Sequence, residues 1–157
     1  MILIFLSFFL LPVAAAILIR RVFKLKKNMG ALEYAFKKGP PILHALILIM
    51  TVVLIGLNFI RELDLLTVFA VCGAGVLGFA ITFKDLLFTH ASGIYANGII
   101  WPASFVFCAD VDEYRKDDDG SLVVLTRDRT RKHIVLNNAS LIERICDKLA
   151  GCTYPLQ

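Results

Sequence analysis

Charge and apolarity are segregated along the chain. Residues 2–19, 41–60 and 65–83 carry no Asp, Glu, Lys or Arg and are dominated by Leu, Ile, Val, Phe and Ala. A helix rises about 1.5 Å per residue, so stretches of this length make helices of roughly 27 to 30 Å, the hydrocarbon thickness of a bilayer. The pattern predicts three transmembrane helices. The first two are apolar on every side, as lipid-facing helices are, and Pro40-Pro41 opens the second, proline being tolerated in a first helical turn. His44 and Asn58 stand near the ends of that span, within reach of headgroups.

The third span is small-sided, with Ala70, Gly73, Ala74, Gly75, Gly78 and Ala80. Glycine costs about 1 kcal/mol per residue inside a helix, and in a bilayer the usual compensation is close helix–helix approach. Gly75, Gly78 and Thr82 fall at spacings of three and four on one groove, suited to contact between neighbouring third helices. Ala70, Ala74, Leu77, Ile81 and Lys84 follow on an adjacent face that is small at one end, bulky in the middle and charged at the other. That profile fits a tapering conduit with a hydrophobic constriction; it also fits an ordinary tightly packed bundle helix.

After Lys84, the polar residues Asp85, Thr89, His90 and Ser92 alternate with Leu86, Leu87, Phe88 and Ile94, interrupted at Gly93 and Gly98. This half is expected to lie along the interface or line a pore mouth, with Tyr95 and Trp101 at headgroup depth. A small β-rich domain is expected from residue 102 to 145, with strands at Phe105–Phe107, Ser121–Thr126 and Arg131–Leu136. Asp117-Asp118-Asp119-Gly120 reads as a turn, because it lacks the alternating ligands and distal Glu of a calcium loop. Arg127, Arg129 and Arg131 would share a face of a continuing strand as a basic stripe, open to solvent, lipid, a vestibule or nucleic acid. Leu141 to Leu149 forms a short helix with Ile142, Ile145 and Leu149 on one side. The expected divisions are therefore 1–64 (two helices and a basic loop), 65–101 (pore-type helix with its amphipathic half), 102–145 (β-domain) and 146–157 (tail). So small a domain is marginal alone, which favours a homo-oligomer.

Composition agrees with a membrane protein: of 157 residues 58% are apolar and 19% charged, against about 25% charged in soluble domains. The spans leave no room for a large enzyme domain. The net charge of +4 is read by position. Arg20, Arg21, Lys24, Lys26, Lys27, Lys37 and Lys38 face only Glu33 in the first loop, whereas the second holds Arg61, Glu62 and Asp64. The positive-inside rule places the first loop and the C-terminal domain in the cytoplasm and the N-terminus outside, in a bacterial-type inner (cytoplasmic) membrane. The basic run then contacts lipid headgroups rather than nucleic acid. Because it follows the first apolar run, the layout is the reverse of a cleaved signal peptide. Cys72, Cys108, Cys146 and Cys152 show no CxxC and no pairing pattern, as on a reduced cytosolic side. His44, His90 and His133 are too dispersed for a metal site, and neither metal nor cofactor is expected.

Val71-Cys72-Gly73-Ala74-Gly75-Val76-Leu77-Gly78-Phe79-Ala80-Ile81 resembles the glycine/alanine-rich pore helix of the small-conductance mechanosensitive channel (MscS) family. Phe83-Lys84-Asp85-Leu86-Leu87 through Ala91-Ser92-Gly93-Ile94 looks like its amphipathic half, Pro102 like the following proline, and Ile134 to Ile142 like a β-domain strand end. The similarity runs over roughly residues 65 to 145. It implies a homo-oligomeric ring, seven subunits in the family's best-known form, in which each third helix lines a pore opened by membrane tension. Leu77 and Ile81 would then form apolar constriction rings and Lys84 a charged ring. Gly73, Ala74, Gly75, Gly78 and Ala80 would provide helix contacts, and Gly93 a hinge. Ions are the expected permeant species, and the chain itself and lipids its partners. Thr89-His90 stands where the family has Asn and an aliphatic residue, and Asn137 where it has proline. The alternative is accordingly a non-conducting, membrane-anchored oligomeric scaffold or binding module. No enzyme is expected: no span carries Asp, Glu or Arg, and no Ser/His/Asp or Cys/His arrangement is present. A transporter is disfavoured by the lack of a repeated half.

Overall fold

The structure, a computed structural model, describes residues 2–36, 41–57, 64–102, 104–117, 121–135 and 139–153. In chain order these form α1 (Ile2–Met29), β1 (Leu32–Ala35), α2 (Ile42–Gly56), α3 (Leu65–Ala91), β2 (Gly93–Tyr95), β3 (Gly98–Trp101), β4 (Ser104–Phe107), a single 3-10 turn (Cys108–Asp110), β5 (Val111–Lys116), β6 (Leu122–Thr126), β7 (Arg131–Ile134) and α4 (Ala139–Thr153). The chain divides into two compact units, Met1–Lys24 with Lys38–His90 and Leu25–Lys37 with Ala91–Gln157. The expected combination of long apolar helices with a small β-rich part is present in this form.

The first unit is helical. Among the described residues, α1 and α3 are long and apolar enough to cross a membrane, while α2 has 15 residues. Leu11 of α1, Ile55 of α2 and Cys72 of α3 make its small core, with Phe8, Val68, Val76 and Phe79 against it. Outside that core, large apolar side chains such as Phe9, Ile17, Leu46, Ile49 and Phe69 are exposed. A surface of this kind is suited to lipid, since in water so large an apolar area favours association. Asp64 caps α3, accepting the Thr67 N–H at 3.2 Å and the Thr67 hydroxyl at 2.5 Å. α1 continues past Arg20 to Met29, so the basic residues through Lys27 ride its last turns. Lys and Arg are good helix formers, and cations favour a helix C-terminus.

The second unit holds two antiparallel sheets, ordered β1-β2-β3-β4 and β5-β6-β7. β2 and β3 form a hairpin with Gly93 opposite Ile100 and Tyr95 opposite Gly98, turning at Ala96-Asn97. That turn is seated on the segment after α1, where the Ala96 and Asn97 N–H groups donate to Ala31 O and Met29 O, each at 2.9 Å. β1 adds at the other edge of β2, Tyr34 opposite Ile94 and Ala35 opposite Gly93. Ile94, Ile99, Trp101 and Val106 of this sheet, Val111, Leu122, Val124 and Ile134 of the other, and Leu141, Ile145 and Leu149 of α4 form one core. Lys132 links the sheets: its Nζ donates to Phe105 O at 2.7 Å and lies 4.9 Å from the centroid of that ring.

Several sequence expectations are corrected here. The segment after Lys84 divides, residues through Ala91 extending α3 and residues 93–101 forming the hairpin. Tyr95 and Trp101 are 2% exposed, in the second unit's interior rather than at headgroup depth. The boundary expected at residue 102 falls at Ala91, and the first loop contributes β1 to the same unit. α4 runs through Thr153, so no separate tail begins at 146. The Arg127–Arg131 stripe is broken by a tight turn, in which Arg129 adopts φ 61°. That turn is held by Asp128, which accepts the Thr126 hydroxyl and, at 3.1 Å, the Thr130 N–H. Cys108 and Cys152, expected unpaired, are joined as a disulfide with their Cα atoms 4.8 Å apart. The helix expected at 141–149 forms within α4, and the strands expected at 105–107, 121–126 and 131–136 form as β4, β6 and β7, the last ending at Ile134. Asn58, Arg61, Glu62, Asp118-Asp119-Gly120 and Leu136-Asn137-Asn138 lie outside the described residues, as do Lys37, Lys38 and Pro40.

Candidate functional site

The candidate residues lie mainly on α3, whose two sides differ in environment. On one side Cys72, Gly75 and Thr82 are buried, and Phe79 stacks on Phe83 with ring centroids 5.5 Å apart. A Cβ at Gly75 would lie 2.6 Å from Ile55 Cγ1 and 2.9 Å from its Cδ1, so the absence of a side chain there is what lets α2 approach. At Gly78 the nearest neighbour would be Thr51 Oγ1 at 3.8 Å, an ordinary contact. The Thr51 hydroxyl donates to Ile47 O at 2.9 Å, which satisfies a polar group buried between helices. The groove at Gly75, Gly78 and Thr82, expected to receive a neighbouring third helix, thus meets α2 of its own chain at Gly75.

The other side of α3 is open. Ala70, Gly73, Ala74, Leu77, Ile81 and Lys84 are exposed, Leu77 at 65% and Ile81 at 61%, and a Cβ at Gly73 would meet nothing within 4 Å. Ala80 is half-buried between the two sides. The Lys84 ammonium lies 5.6 Å from the centroid of Phe88, one turn further along. Leu77, Ile81 and Lys84 are therefore brought onto one unobstructed stripe, together with Gly73 and Ala74. Physically this stripe offers a smooth small-residue surface, two bulky apolar side chains and one cation in sequence.

Gly93 is not on this helix. It sits in β2 between Ala35 and Ile100, and a Cβ there would lie 2.6 Å from Tyr34 O, so the lack of a side chain is what permits this close strand pairing. His44 is half-buried in α2, while His90 and His133 are exposed. Among the described residues, no group of three His, Cys, Asp or Glu side chains is placed to hold a metal ion. Sequence reasoning missed Ile55 as the partner of Gly75 and Thr51 as that of Gly78; the available signal was the Thr51 hydroxyl in the middle of a span whose other polar residues stand near its ends. It also missed the Cys108–Cys152 pair, whose separation of 44 residues matches no spacing motif. No protein-family model, curated protein or solved structure matches this chain.

Proposed function

We propose that the chain is one subunit of a homo-oligomeric ring forming a passive, tension-gated, weakly selective ion channel in a cytoplasmic-type membrane. The observation that carries this reading is the open stripe of α3, on which Gly73, Ala74, Leu77, Ile81 and Lys84 are left uncovered while the opposite side is used up by α1 and α2. Rotational symmetry turns Leu77 and Ile81 into apolar rings, and a narrow apolar ring excludes ions by dewetting without being sealed. Lys84 becomes a charged ring that concentrates anions. Tension favours opening because the open ring occupies more membrane area than the closed one, the differential interaction that any shift of an equilibrium requires. Seven subunits is the number implied by the resemblance to the MscS family.

The membrane topology is supported by the pairing of β1 with β2. β1 follows α1 and β2 follows α3, so both strands must emerge on one side of the bilayer. If α1 and α3 cross, that is possible only when α2 crosses as well. This argues for three spans although α2 is short, and the basic residues at the end of α1 favour the cytoplasm as that side. A scaffold without conduction is the second reading, favoured by the likeness of Leu77 and Ile81 to the exposed Leu46 and Ile49, a composition that lipid alone would cover. Planar-bilayer recording on two variants separates the readings. Leu77→Ser is expected to conduct at rest, and Lys84→Glu to move the reversal potential in a salt gradient toward cation preference. Assembled variants that are silent at rest, with an unmoved reversal potential wherever current can be elicited, would leave the scaffold.

A further inference from the structure

Arg144, Lys148 and Cys152 recur every four residues and so form one stripe of α4, beside the buried stripe of Leu141, Ile145 and Leu149. The first two members of this partly exposed stripe hold β1. The Arg144 guanidinium lies 4.7 Å from the centroid of Tyr34, and Lys148 Nζ is 2.9 Å from Glu33 Oε1 and 3.0 Å from Oε2. The third is bonded to Cys108 in the 3-10 turn. The apolar side of α4 ends at Leu149, which is fully buried, and Gly151 beyond it is exposed. The body of the helix is therefore anchored by Leu141, Ile145 and Leu149, and its last turn by Cys152, which packs on the edge of the same core and is tied through its sulfur to Cys108.

We propose that Cys108 and Cys152 are a reversible redox clamp that fixes the end of α4 and, through Arg144 and Lys148, steadies β1, the strand leading from α1 toward α2. Both cysteines are partly exposed and open to a small-molecule disulfide of the glutathione type. One protein thiolate attacks that disulfide, releasing one small thiol and forming a mixed disulfide. The second protein thiolate then attacks the protein sulfur of the mixed disulfide, and the second small thiol leaves. Two electrons pass to the small disulfide, and the two protons end on the departing thiols. Cys146, next on the helix, is a poor competitor because burial pushes its thiol up. Cys72 is buried among the membrane-type helices. Opening the bond leaves Leu141, Ile145 and Leu149 in place, so the clamp can cycle without unfolding the unit.

The test uses the purified full chain in detergent micelles, equilibrated in dithiothreitol or in oxidised glutathione. It is read by intact mass after alkylation in SDS and by amide hydrogen exchange. Reduced protein is expected to alkylate at its four cysteines, and oxidised protein at Cys72 and Cys146 only. Oxidation is expected to slow exchange about tenfold at residues 149–152 and at 32–35, segments that otherwise open locally. Cys108→Ser abolishes both effects. The double variant Arg144→Ala/Lys148→Ala keeps the first and loses the second. Separate glutathione adducts on Cys108 and Cys152 would overturn the proposal, as would a bond that changes exchange at neither segment or a double variant that still slows β1. None of these readouts depends on conduction, so the clamp and the channel are tested apart.

Discussion

Gly75 and Gly73, two residues apart on α3, face opposite demands. At Gly75 a side chain collides with Ile55, whereas at Gly73 it enters open space. Gly75→Leu is expected to destabilise the helical unit by about 1–3 kcal/mol, the cost of overpacking a fitted contact. Gly73→Leu should not weaken the isolated subunit, because a better helix former replaces a poor one by up to about 1 kcal/mol. SDS-induced unfolding in mixed micelles checks this, and equal losses at both sites would contradict the two-sided description of α3. Asp128 makes a second prediction. The hydroxyl of Thr126 and the N–H of Thr130 hold its carboxyl below the ordinary value of 3.8. The charged form is thus the one the folded turn favours, and its contribution is complete above the unfolded pKa and lost as pH falls through the lower folded value. In an acid titration followed by the β6–β7 turn amides, the wild type should loosen below about pH 4. Asp128→Asn should show no such step.

At the scale of elements, β1 depends on Gly93. A Cβ there meets the Tyr34 carbonyl, a backbone atom that cannot turn aside. Gly93→Val is expected to detach β1, raising hydrogen exchange at residues 32–35 while the β2–β3 hairpin stays protected. Loss of protection throughout the sheet would mean instead that β1 is needed for the hairpin to form. The same strand shows what the sequence could and could not reveal. The long helices, α4 and strands β4, β6 and β7 were legible because their own periodicity or β-branched and aromatic content marks them. β1 was not, since Leu-Glu-Tyr-Ala has no strand pattern of its own and is strand only through a partner about sixty residues later. β2 and β3 were masked by their glycines, which read as interruptions but serve as close contacts. β5, with Asp112, Glu113, Arg115 and Lys116, reads as a charged loop until its pairing with β6 is seen. At the site, the stripe Leu77-Ile81-Lys84 followed from helical spacing alone. Which glycines meet α2 did not, because helix–helix register is not written in either helix separately.

For the whole molecule, the proposed channel requires that α2 cross the membrane. In a cysteine-free background, Leu32→Cys in β1 and Asp112→Cys in β5 should share one labelling side, and Leu65→Cys, before α3, should lie on the other. With an impermeant thiol reagent on intact cells, only Leu65→Cys is expected to react. Reaction of Leu32→Cys together with Leu65→Cys would place both ends of α2 on one side and remove the three-span topology. In the proposed channel, membrane tension opens a path through a ring of these subunits. The decisive measurement is patch recording of the purified full chain in liposomes under graded suction. Unitary currents whose open probability rises with suction and returns on release are the predicted result; assembled protein that stays electrically silent up to membrane rupture would contradict it.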